Sequence, residues 1–120
     1  MNPVFQMEPV KLSQFSKNAS VRKIVHDDAT YPKGEVICWS ITSNDRVVYV
    51  DAKAGEVCLY LPEKYDLGSV LTVKRLYTSQ HNVYVKGVNG TRIEGEEGTY
   101  LDEEDSFINL RLLDGVWHAF

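Results

Sequence analysis

No apolar run in this 120-residue chain approaches the ~20 residues that a membrane-spanning helix requires. The opening MNPVFQMEPVKLSQ has no charged segment leading into an apolar one, so neither a membrane partner nor a secretory route is expected. Basic residues are scarce: 13 Lys and Arg stand against 17 Asp and Glu, for a formal charge of −4. A phosphate-binding face needs clustered cations, so nucleic acid is excluded as a partner. Cysteine occurs only as Cys38 and Cys58, and two thiols in a chain without a secretion signal read as reduced. From about residue 35 onward no segment sustains a 3.6-residue apolar period, so helix content should be low.

In place of helical periodicity there is alternation. EVICWSI puts Ile37, Trp39 and Ile41 on one face, RVVYV puts Val48 and Val50 together, and EVCLYL aligns Val57, Leu59 and Leu61. The same period of two continues with Leu71 and Val73, with Val83 and Val85, and with Ile108, Leu110 and Leu112. DAKAG reads as a hairpin connection, as does Asn89-Gly90, and Asp114-Gly115 introduces a closing strand, VWHAF. The expected fold is all-β: a compact antiparallel β-sandwich or barrel-like domain over residues 31–120, carrying an extended N-terminal arm over residues 1–30. Trp117 should pack inward, with Phe120 held against the body.

The densest glycine cluster, VKGVNGTRIEGEEG, holds Gly87, Gly90, Gly95 and Gly98. A phosphate-binding loop would need a helix after the glycines and a lysine at its mouth. Neither follows, so these glycines read as turns and a bulge in a tightly wound sheet. His26, His81 and His118 have no cysteine or carboxylate at metal-ligand spacing, and the seven acidic residues between Glu94 and Asp105 lack the ligand-and-glycine order of a calcium loop. No serine stands on a glycine-framed strand-to-helix turn. No catalytic residue, metal or cofactor is assigned, and the chain is not expected to be an enzyme.

Charge divides the chain. Residues 1–26 carry Lys11, Lys17, Arg22 and Lys23 against Glu8, for +3, whereas the remainder carries nine basic and sixteen acidic side chains, for −7. A basic leader on an acidic body suits a docking arm, with Val4, Phe5, Met7, Val10, Leu12 and Phe15 as its particle-docking anchors. Alternation also leaves Val47, Tyr49, Cys58, Tyr60, Tyr84 and Phe107 on second faces of their strands, more amphipathic surface than a monomeric sheet needs. These six are expected at subunit contacts.

The order of the strand and turn signals is similar to something known. A strand ending in Asp51-Ala52 then Gly55, a strand closing on Leu61-Pro62, Gly68 before Val73-Lys74, Asn82-Val83-Tyr84-Val85, Ile93-Glu94-Gly95 and the closing Asp114-Gly115-Val116-Trp117 resemble a β module of tailed-bacteriophage virion proteins. The resemblance covers residues 46–120 and departs from the pattern in the acidic YLDEEDS connection. It implies a non-enzymatic structural subunit, commonly a homotrimer, of the capsid-decoration, head-fibre or tail-fibre type. The implied partner is the major capsid protein or another virion protein, and the implied location is the virion, assembled in the host cytoplasm. The alternative is a tail-fibre or receptor- and saccharide-binding module that uses Tyr60, Tyr77 or Tyr84 for stacking.

Overall fold

The computed structural model describes residues 20–120. The docking anchors Val4, Phe5, Met7, Val10, Leu12 and Phe15 lie outside the described residues. Ten strands follow in order: β1 (Ser20–Val25), β2 (Ile37–Ser40), β3 (Asp45–Asp51), β4 (Val57–Tyr60), β5 (Leu71–Arg75), β6 (Val83–Lys86), β7 (Arg92–Ile93), β8 (Gly98–Leu101), β9 (Phe107–Leu113) and β10 (Val116–Ala119). No helix occurs among the described residues, and the all-β reading holds. One sheet has six strands in the order β1-β3-β5-β9-β10-β7, the other four in the order β2-β4-β6-β8.

The expected antiparallel arrangement is corrected. Five of the eight strand pairings are parallel: β1 with β3, β3 with β5, β2 with β4, β4 with β6, and β10 with β7. Only β5–β9, β9–β10 and β6–β8 are antiparallel. The reason is that each early strand is followed by one in the opposite sheet, so DAKAG is an arch from β3 to β4 and not a hairpin. Pairs β1/β2, β3/β4 and β5/β6 form three rungs stacked like a short solenoid. In the six-stranded sheet Arg22, Val48 and Val73 lie side by side; in the four-stranded sheet Ile37, Val57 and Val83 do. Chain reversal ends the stack, β9 adding to β5 and β8 to β6.

The bends between sheets are stacked too, through backbone hydrogen bonds. His26 N donates to Asp51 O and Ala54 N to His26 O, joining the first bend to the second. Gln80 N and His81 N both donate to Ala52 O, while Ala52 N donates to Ser79 Oγ at 2.9 Å, joining the second to the third. Close packing at this corner requires Gly55: a Cβ there would stand 2.4 Å from His26 Nε2 and 2.5 Å from Glu35 O. At the opposite end Asp45 holds the first two rungs together. Its Oδ2 accepts from Arg22 Nη2 at 2.9 Å and from Thr42 N at 2.8 Å, and its carbonyl accepts from the Tyr65 hydroxyl. Arg22 also donates to Ser40 O at 2.8 Å.

β1 begins inside the segment read as an arm. Ile24 is buried in the core and all six β1 residues are paired with β3, so residues 20–25 belong to the sheet. Asn89-Gly90 forms a tight turn with positive φ at both residues, but it links β6 to β7 in different sheets and makes no hairpin. Asp114-Gly115 does make one, again with both φ positive, the conformation a two-residue connection between twisted strands needs.

Side chains alternating off the two sheets meet between them. Val48, Val50, Leu71, Val73 and Leu110 of one sheet face Val57, Leu59, Val83 and Val85 of the other, all fully buried. Trp117 joins them with no exposed surface, its ring 5.4 Å from that of Tyr65. Replacing Trp117 by Ala is expected to cost about 3–5 kcal/mol, as loss of a fully buried aromatic side chain does. Urea unfolding followed by circular dichroism measures it; an unchanged midpoint would contradict the packing.

Candidate functional site

Because both sheets bury one face against each other, recognition by strand side chains falls to the two outward faces. On the six-stranded sheet one row across the strands reads Lys23, Tyr49, Lys74, Phe107, and the next reads Val21, Val47, Thr72, Asn109. Beyond them β9 and β10 present Arg111 beside His118 and Leu113 beside Val116. This face is unusually apolar for solvent contact: Val21 is 60% exposed, Tyr49 38%, Phe107 58%, Leu113 49% and Phe120 61%. Cations lie over its aromatic rings, Lys74 Nζ at 5.7 Å from the Phe107 centroid and the Arg111 guanidinium at 4.3 Å from that of Phe120. Lys74 also pairs with Asp105 at 3.0 Å. Phe120 is tied to the body by its amide, which donates to Asn109 O at 3.1 Å, although its ring is open. Leu67, from the link between β4 and β5, joins Leu113 and Phe120 around a shallow depression at this end.

The outer face of the four-stranded sheet has a different character. One row crosses all four strands as Cys38, Cys58, Tyr84, Tyr100, and the next as Ser40, Tyr60, Lys86, Gly98. The Tyr84 and Tyr100 rings sit 4.5 Å apart, and Lys86 Nζ lies 5.8 Å from the Tyr60 centroid. Tyr84 lies so close over Gly98 that a Cβ there would meet its hydroxyl at 2.6 Å. Cys58 is buried on this outer side and contributes nothing to the core between the sheets. Burial pushes its thiol up to about 11, helped by the neighbouring Cys38 thiol. Cys58, and then Cys38, in turn raise the Tyr60 hydroxyl.

The six residues expected at subunit contacts therefore divide. Val47, Tyr49 and Phe107 share the outer face of the six-stranded sheet, while Cys58, Tyr60 and Tyr84 share that of the four-stranded sheet. Tyr77, on the link from β5 to β6, is apart from Tyr60 and Tyr84. The three histidines are also separate: His26 is buried at the first bend, where its Nε2 bonds to Glu35 O, His81 lies at the third, and His118 is on β10. Sequence reasoning passed over Val21, Leu113, Tyr100 and Leu67 as surface candidates. For Val21 and Leu113 the signal was present, since both stand in the phase opposite to core residues of their strands.

No protein-family model matches this chain, and no curated protein shows significant similarity to it.

The raised Cys58 thiol fixes the sign of an alkaline effect. Between the ordinary value of 9.0 and about 11 the unfolded thiol has lost its proton while the folded one retains it. Stability is thus intact below pH 9.0 and falls as pH rises through this window. Thermal unfolding across that range is expected to show a smaller decline in Cys58→Ser than in the parent, with Tyr65, whose hydroxyl burial also raises, supplying part of what remains. Identical declines would contradict the assignment to Cys58.

Proposed function

We propose that this protein is a non-enzymatic structural subunit of a bacteriophage virion, a capsid-decoration or head-fibre-type protein that works as a homotrimer. The observation that carries the reading is the exposure of Val21, Tyr49, Phe107, Leu113 and Phe120 on one outer face. Exposed apolar side chains interspersed with Lys and Arg are what a protein-protein contact uses. Three copies that turn this face toward a threefold axis bury it in a closed assembly, with no open end from which further copies can add. The order of strand and turn motifs over residues 46–120, similar to that of phage virion modules, supports the copy number and the location. The apolar-dotted residues 1–19 attach the trimer to the major capsid protein or another virion protein.

Light scattering on the isolated chain tests the assembly. The expected mass is about 41 kDa, three times 13.6 kDa. The double variant Tyr49→Glu/Phe107→Glu is expected to be a monomer with an unchanged circular-dichroism spectrum, because both rings are exposed in the single subunit. A parent chain that stays monomeric both in solution and on its particle would overturn the trimer. Deleting residues 1–19 should leave the β body folded and trimeric and abolish co-sedimentation with particles; retained co-sedimentation would move the docking site onto the body.

A second reading, a tail-fibre or saccharide-binding module, has one observation in its favour. The Tyr84–Tyr100 pair forms an aromatic platform on the opposite outer face, and sugar rings stack on such platforms. Tyr100→Ala should then abolish glycan binding while leaving the oligomeric state unchanged.

A further inference from the structure

We propose that Cys38 and Cys58 form a dithiol–disulfide site on the outer face of the four-stranded sheet, one that takes low-molecular-weight disulfides as oxidants and covalently fastens β2 to β4. The two residues are direct partners in the parallel register of these strands, Cys38 opposite Cys58 between the Ile37–Val57 and Trp39–Leu59 pairs. Side chains at such positions leave the sheet on the same side. Neighbouring strands run about 4.8 Å apart, inside the span of roughly 4.4–6.8 Å between Cα atoms that a disulfide bridges.

The pair is asymmetric, and this sets the order of events. Cys38 is exposed on an edge strand and Cys58 is buried beside it. The Cys38 thiolate is therefore the group that reaches an oxidant. It attacks one sulfur of the small disulfide, forming a mixed disulfide and releasing the first small thiol. Cys58 then gives up its proton and attacks Cys38 Sγ; the Cys38–Cys58 bond forms as the mixed disulfide breaks and the second small thiol leaves. Two protein thiols are oxidised by two electrons, one small disulfide is reduced to two thiols, and both protein protons end on those thiols. A buried thiol is a poor nucleophile because little of it is ionised, so the second step is slow in bulk terms and is carried by proximity.

The bond would matter most for β2. Among the described residues, this four-residue strand pairs on one side only, with β4. Oxidation converts that hydrogen-bonded edge into a covalently closed one. In a chain made in a reducing cytoplasm, the bond would form on transfer to an oxidising medium.

The test uses the full reduced chain incubated with oxidised glutathione under native conditions, followed by intact-mass measurement and free-thiol titration. The parent is expected to lose two hydrogens and both titratable thiols while remaining uncrosslinked between copies on a non-reducing gel. Cys58→Ser is expected to stop at a single glutathione adduct on Cys38, and Cys38→Ser to react far more slowly. Hydrogen exchange at the β2 amides should slow on oxidation and recover on reduction. Two persistent thiols, a doubly glutathionylated chain, or a crosslink formed only between copies would each overturn the proposal.

Discussion

Backbone amides at a bend between two packed sheets are shielded from water and have few places to turn for a partner, and in this molecule they turn to the next bend. Ala52 shows the constraint in one residue: its carbonyl accepts from both Gln80 and His81, and its amide donates to the Ser79 hydroxyl. The bend of one rung is thereby a template for the bend of the next. Unpaired buried amides are costly enough that the rungs cannot slip relative to one another without breaking this set. Parallel register along β1, β3 and β5, and along β2, β4 and β6, follows from it. So do the small residues at the corner, where Ala52, Ala54 and Gly55 leave space for the buried ring of His26.

Fixed register has a second effect, on the surface. Because residues at equal heights in successive rungs lie side by side, each outward-facing position becomes part of a row running across the sheet. The rows differ in composition: aliphatic and aromatic groups interleaved with lysine and arginine on the six-stranded side, cysteine and tyrosine on the four-stranded side. Side chains on paired strands lose little backbone freedom on binding. That makes the outward faces better suited to recognition than the connections between strands, although the acidic connection before β9 sets the charge at one end.

Most of the core was legible in the sequence because the alternation is strong. Val48, Val50, Val57, Leu59, Leu61, Val73, Val83, Val85 and Leu110 all stand in the inward phase that a period of two assigns them. Trp39 is the exception, partly open because its strand is an edge. The pairing of strands was not legible, for a physical reason. Alternation specifies which side chains share a face and is silent on whether the next strand returns beside the first or crosses to the opposite sheet. DAKAG is short enough for either, and its small residues suit an arch. β1 was missed because its inward positions include Arg22, a charged group whose partners, Asp45 and Ser40, are distant in sequence. The outer-face candidates followed from the same alternation, but their division between two opposite faces depends on sheet membership and could not be read before the arches were known.

The arches also make the molecule modular in length. Val48 follows its lateral partner Arg22 by 26 residues, and Val73 follows Val48 by 25. A unit of that size, running up one sheet and back along the other, presents the same hydrogen-bonding groups above as below. An additional unit inserted between the second and third rungs would meet matching neighbours on both sides and raise the stack by about 4.8 Å. The reversing strands β8 and β9 would ride outward on top of it with their own contacts unchanged. Proteins of this architecture can therefore differ in reach by whole rungs while keeping the same cap.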